Sequence, residues 1–405
     1  MKKSLFFAFA VAGMLCSCSS EETIEAGVAG NDGSNNSEFV PIKLGMASSA
    51  ITRGSGTVGG VEGSDENVWH EQIVKVFMLE KGKLEKAVSD VDLLKQVNEG
   101  VIFYNTPLKT PNGINDDYAY TMDESIKYYP TAGAFDFWAY HVDESQDAVS
   151  EAVISEPNEM TLENGSKALY VDVAIDGSQD IMVAKAVPSE ENIAAVGDEN
   201  RIYSAYAARK SVQPILEFKH LLSRLQFNVL AGDENVVAKN IYVKQILVKS
   251  KATGKLIVAY EGTESVDQLV MDSGAEYVNF ELKRREESNY TNLIPLEDVL
   301  VDSQEGVSVG EALLVYPDEE YEMTIKLVQT IQTNKDEEAL PATYEYNTKI
   351  KLPLSESGEI VKFEQGKSYN VNITVWGLEE INIKTVLKGW DNGGNVDITP
   401  EDDRF

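Results

Sequence analysis

Along much of this chain, apolar and polar residues alternate with a period of two. The clearest run is Tyr369, Val371, Ile373 and Val375, set against Asn370, Asn372 and Thr374. This period puts one set on a core face and the other toward solvent, as in a half-buried strand. Val40, Ile42, Leu44 and Met46 alternate in the same way with Phe39, Pro41, Lys43 and Gly45. Pro41 has no N–H for a ladder, which restricts that strand to an edge or a loosely held position. Ile73-Val74-Lys75-Val76-Phe77-Met78-Leu79 and Phe135-Asp136-Phe137-Trp138-Ala139-Tyr140-His141 carry large side chains on both faces, so both read as buried strands. Asp180-Ile181-Met182-Val183-Ala184 reads as another short strand. From Phe218 to Val229 two periods compete: Phe218, Leu221, Leu222 and Leu225 suit a helix face, and Leu225, Phe227 and Val229 alternate. A turn running into a strand reconciles them. Late in the chain come Ile381, Ile383 and Leu387, then Trp390, Val396 and Ile398.

Many short strands with few long amphipathic stretches predict an all-β protein built as two β-sandwiches. At 405 residues the chain is too long for one ordinary core. Residues 186–212 are polar and mixed, which places the expected boundary there, with domains over 39–212 and 213–405.

The first residues obey a different pattern. Lys2 and Lys3 precede an apolar run from Leu5 to Leu15, and Leu15-Cys16-Ser17-Cys18 follows. This is a secretory signal, too short to span a bilayer. It resembles a bacterial lipoprotein signal over residues 1–17, whose removal leaves Cys18 as a lipidated first residue, and Glu21-Glu22 resembles a surface-export signal. Residues 18–38 are then a polar, glycine- and serine-rich tether. Only two cysteines exist and Cys16 leaves with the signal, so no internal disulfide is expected. The net charge of −32 argues against nucleic acid or anionic lipid as a binding partner.

Chemistry is sparse. The glycines at 54, 56 and 59 spell GxGxxG, but an acidic loop follows where a dinucleotide site needs a helix. The three histidines, His70, His141 and His220, show no metal-ligand spacing and suit structural roles. No GxSxG elbow occurs. The acidic runs 318–320, 336–338 and 401–403 read as solvated turns. Neither an enzyme nor a cofactor is expected. Arg53, in a glycine-rich loop, suits a trypsin-like protease. A cut between Arg53 and Gly54 would release the lipid, the tether and the strand of Val40, Ile42, Leu44 and Met46 together. If that strand belongs to a sandwich, its loss leaves unpaired backbone and apolar pockets, a template for strand addition.

In their order and spacing these features resemble the fimbrillin family (FimA/Mfa-like), type V pilin lipoproteins of Bacteroidetes. The resemblance rests on Cys18 and its tether, Phe39 to Met46 followed by Thr52-Arg53-Gly54, the Ile73 strand, Tyr129-Pro130 with Phe135 to Tyr140, the Asp180 strand and Phe218 to Leu225. It implies two transthyretin-like β-sandwich domains, outer-membrane export, cleavage by an arginine-specific protease after Arg53, and assembly with other pilus subunits by strand exchange. The donor would be residues 381–398, with Ile381, Ile383, Leu387, Val396 and Ile398 as plug residues. Asp391-Asn392-Gly393-Gly394 interrupts that donor, so a hairpin folding back on its own domain is the alternative, as in an anchor or tip subunit. A surface glycan binder is a further reading, with Trp69, Trp138 and Trp390 as a sugar platform, although core packing suits each of them.

Overall fold

The computed structural model describes residues 39–48, 72–89, 100–110, 118–143, 152–153, 155–237, 239–262, 265–286, 289–331, 340–355, 357–377 and 380–388. Within these the alternating stretches are strands, helices are few and short, and the chain is mainly β.

Seven strands pair in a closed ring. In order they are Leu44–Ser48, Ile215–His220, Ile181–Lys185, Phe135–Val142, Ile73–Glu80, Thr106–Lys109 and Tyr118–Thr121, which returns to Leu44–Ser48. Leu44–Ser48 runs parallel to Ile215–His220 and antiparallel to Tyr118–Thr121. The ring explains why its central strands are apolar on both sides. Val74, Val76, Met78, Phe137 and Ala139 pack inside with Leu44, Leu216 and Phe218. Phe77, Leu79, Trp138 and Tyr140 join a second core with Val171 and Val258. These last two come from a sheet of Leu269–Met271, Thr253–Tyr260, Lys167–Ala174 and Asn158–Thr161.

Two further large sheets follow, beside two small two-stranded ones. One orders Val307–Val315, Ser223–Ala231, Ser368–Gly377 and Glu380–Lys388, and the other Tyr277–Glu281, Ile241–Lys251, Glu320–Ile331 and Leu340–Lys351. Phe227, Val229, Val371 and Ile373 from the first share a core with Ile246, Val248, Met323 and Ile325 from the second. That is sandwich packing, with inner-face side chains interdigitating between layers. Each such buried side chain contributes about 1.5–3 kcal/mol, so these faces hold the sheets together.

Three local patterns take their context from the fold. Residues 218–229 resolve as the ends of Ile215–His220 and Ser223–Ala231, with the buried Leu221 and Leu222 between them. The helix-like spacing there comes from that turn. Residues 186–212 are polar for a local reason: Ser189, Asp198 and Ser204 cap the short helical segments Glu190–Val196, Glu199–Arg201 and Ala205–Ala208. Their apolar residues Val196, Ile202, Tyr203 and Ala207 belong to the ring's core. Strand pairing also crosses residue 212, since Lys167–Ala174 pairs with Thr253–Tyr260 and Ile181–Lys185 with Ile215–His220. Two sheets therefore take strands from both sides of residue 212. Finally, Leu44–Ser48 has a neighbour on each side and is no edge strand. Pro41 lies before it, at an isolated bridge to Tyr128 where a missing N–H is tolerated.

Candidate functional site

The segment from Val40 to Ser48 enters the ring by two successive modes of pairing. Residues 40–42 first run against 127–129: Ile42 N–H donates to the Lys127 carbonyl at 2.8 Å, and Tyr129 N–H donates to the Val40 carbonyl at 3.0 Å. Then Leu44 and Gly45 lie opposite Ala119 and Tyr118, while Gly45 to Ser48 lie opposite Ile215 to Phe218. Val40 and Leu44 are buried in the ring's core, with Ile42 and Met46 packed half-buried against it. All four predicted groove fillers thus meet one core. The alternation seen in the sequence is what turns them to the same side.

The C-terminal candidate strand is placed differently. Glu380–Lys388 forms an antiparallel hairpin with Ser368–Gly377, from Gly377↔Glu380 to Ser368↔Lys388. Ile381 and Ile383 pack half-buried against the larger core, and Leu387 lies opposite Tyr369. Between them Thr385, opposite Val371, is buried with its hydroxyl unpartnered. An apolar stripe at 381, 383 and 387 is thus broken by one hydroxyl that the sequence reading passed over. The alternation itself, continued through 385, was the signal. Cys18, Arg53, Gly54, Val396 and Ile398 lie outside the described residues, as do His70, Trp69 and Trp390.

The remaining candidate groups are structural in their surroundings. His141 Nδ1 meets the Ile73 carbonyl at 2.7 Å and its Nε2 meets Asp143 Oδ1 at 3.0 Å. The other Asp143 oxygen accepts the Asp180 N–H at 3.0 Å, and Asp180 Oδ2 meets His220 Nδ1 at 2.6 Å. This chain ties four ring strands together where solvent scarcely reaches: His220 and Asp180 side chains are each 1% exposed. Burial pushes His141 toward neutrality, but the hydrogen bond and charge of Asp143, the Ile73 carbonyl and the charge of Asp180 outweigh it and raise its pKa. Among the described residues no group of three or more His, Cys, Asp or Glu could hold a metal ion.

Trp138 is a core residue, its ring against Tyr260 and beneath the Lys185 ammonium at 4.3 Å. Trp376, which the sequence reading did not single out, is 42% exposed and lies over the backbone of Gly232. A cleft of about 500 Å³ beside Ile215–His220, with Lys219, Lys367 and Glu217 on its walls, has no Trp, Tyr or Phe among its described lining residues. Of the acidic runs, 318–320 is described: Glu319 pairs with Lys362, and Glu320 with Lys349 and Lys351.

The described residues therefore define a mainly β protein whose notable features are strand slots and edges rather than convergent reactive groups. The chain belongs to the fimbrillin-like family, whose family model matches residues 62–390. Membership makes it a fimbrial or adhesion subunit of the cell surface. No curated protein matches its sequence. Among solved structures, a candidate cell adhesion protein from Bacteroides uniformis is similar at 12% identity and a TM-score of 0.45, covering 88% of this chain and 100% of that one. A candidate cell adhesion protein from Bacteroides ovatus follows at 13% identity and a TM-score of 0.38, covering 87% and 98%. The fimbrial anchor protein Mfa2 from Porphyromonas gingivalis is similar at 9% identity and a TM-score of 0.30, covering 86% and 98%.

Proposed function

We propose that this protein is a structural subunit of a surface fimbria, exported as a lipoprotein on Cys18 and trimmed between Arg53 and Gly54 by a trypsin-like, arginine-specific protease. Trimming removes the lipid anchor in the outer membrane together with the strand carrying Val40, Ile42, Leu44 and Met46. The observation that carries this reading is the position of Leu44–Ser48: it fills a slot between two ring strands through short ladders, burying Leu44 at 2% exposure. Its departure leaves two unpaired backbone edges around an apolar floor, and both are satisfied when a strand from another subunit enters. The donor would be the segment carrying Ile381, Ile383, Leu387, Val396 and Ile398.

A second reading is favoured by one observation. Glu380–Lys388 is fully laddered to its own neighbour, so a subunit that keeps its C-terminal strand, as an anchor or a tip would, needs no rearrangement. Limited trypsin digestion of the protein lacking Cys18, followed by N-terminal sequencing and an unboiled denaturing gel, separates the two. A product beginning at Gly54 that forms an oligomer ladder is the expected result. A Gly54 product that stays monomeric supports the anchor or tip, and resistance at Arg53 contradicts trimming altogether.

A further inference from the structure

Gln213 stands where the Ile215–His220 strand can no longer pair through its own backbone. Pro214 has no N–H, and its carbonyl already accepts the Gly45 N–H at 3.1 Å. One step earlier the Gln213 side chain takes over. Lys43 N–H donates to Gln213 Oε1 at 3.3 Å, and Gln213 Nε2 donates to the Pro41 carbonyl at 3.2 Å. The Tyr129 hydroxyl, on a residue 2% exposed, donates to the same Oε1 at 3.3 Å. That fixes the amide: its oxygen meets the Lys43 N–H and its nitrogen the Pro41 carbonyl, and a flipped amide would lose both bonds, since only the Tyr129 hydroxyl can exchange donor for acceptor. On the opposite side, residues 40 and 42 pair with main chain at 127 and 129. The entering segment is thus gripped by peptide groups on one side and by a side-chain amide spaced like a peptide group on the other.

We infer that Gln213 sets the register of the strand in this slot and selects which strand can occupy it. Selection follows from the donor and acceptor pattern. The occupant must present a carbonyl at the position of Pro41 and a free N–H two residues later, at that of Lys43. Proline is therefore accepted at the first position and refused at the second. A strand from a second copy of this chain or from a related subunit would be read the same way. The selection clause rests on the proposed strand exchange, whereas the register clause concerns the intact chain alone.

Residue-resolved amide hydrogen exchange on the full chain tests it, with Gln213→Ala and Gln213→Glu beside the unaltered protein. Loss of the side-chain grip should speed exchange at Lys43 by about tenfold in Gln213→Ala, a change suited to one or two lost hydrogen bonds. The Ile42 amide, bonded to Lys127, should change far less. Gln213→Glu keeps the acceptor for Lys43 and loses the donor to Pro41, so Lys43 should fall between the other two; should Gln213→Ala not fold, this variant carries the comparison. Equal Lys43 exchange in all proteins overturns the inference, as does equal acceleration at Ile42 and Lys43, which would mean general loosening. Because the reading is made on the untrimmed chain, faster Lys43 exchange with no cleavage at Arg53 would remove the strand-exchange reading and leave the register role intact.

Discussion

At His141 the two ring nitrogens face two acceptors, the Ile73 carbonyl on a neighbouring strand and the carboxylate of Asp143 just past the end of its own strand. A neutral imidazole has one N–H, so one of the two contacts would pair a lone pair with an oxygen; the imidazolium satisfies both. This geometry agrees with the raised pKa of the buried ring. The sign follows from linkage. A folded pKa above the unfolded value, about 6.5 for histidine, gives stability that is complete below that pH and is lost as pH rises through the folded pKa. The denaturant midpoint should therefore fall as the pH is raised from about 6.5, and in Asp143→Asn the His141 part of that fall should flatten. A midpoint that climbs over the same range contradicts a charged His141. Both described histidines read as structural in the sequence, and both are buried beside carboxylates. Asp180 was not legible as the partner of His220, because it reaches that ring across the sheet, whereas Asp143 lies two residues from His141, on the same side of an extended segment.

Elements show the same division between local pattern and distant partner. Local apolar pattern located the strands, alternation in Ser368–Gly377 and runs apolar on both faces in Ile73–Glu80 and Phe135–Val142, with Ile181–Lys185 a shorter run, since each pattern is a property of one chain segment. It could not tell that Leu44–Ser48 is central, because its neighbours, Ile215–His220 and Tyr118–Thr121, lie far along the sequence. Nor could it find Gln213, whose role depends on Pro214 and on the segment across the slot. Glu380–Lys388 offers a test at this scale. Its inner stripe holds a buried, unpartnered hydroxyl at Thr385. Valine has nearly the shape of threonine without the polar group. Thr385→Val should therefore stabilise the protein by about 1–2 kcal/mol, the cost of an unpaired buried hydroxyl, read as a higher denaturant midpoint at unchanged slope. A lower midpoint would mean that the hydroxyl is satisfied in solution.

Over the whole molecule, a closed ring that includes Leu44–Ser48 and a sandwich that includes the Ser368–Gly377 and Glu380–Lys388 hairpin lie on one chain, and the proposed strand exchange would use one segment from each. The family match over 62–390 covers the hairpin and omits the Leu44–Ser48 strand and Arg53. The central claim therefore concerns the slot: once emptied, it accepts a strand. The most direct measurement mixes the trypsin-trimmed protein with a synthetic peptide of residues 39–48. The account predicts one peptide bound per chain, a rise in melting temperature, and suppression of any oligomer ladder as the peptide fills the site that a second subunit would use. A trimmed protein that neither binds the peptide nor gains stability from it would contradict the account.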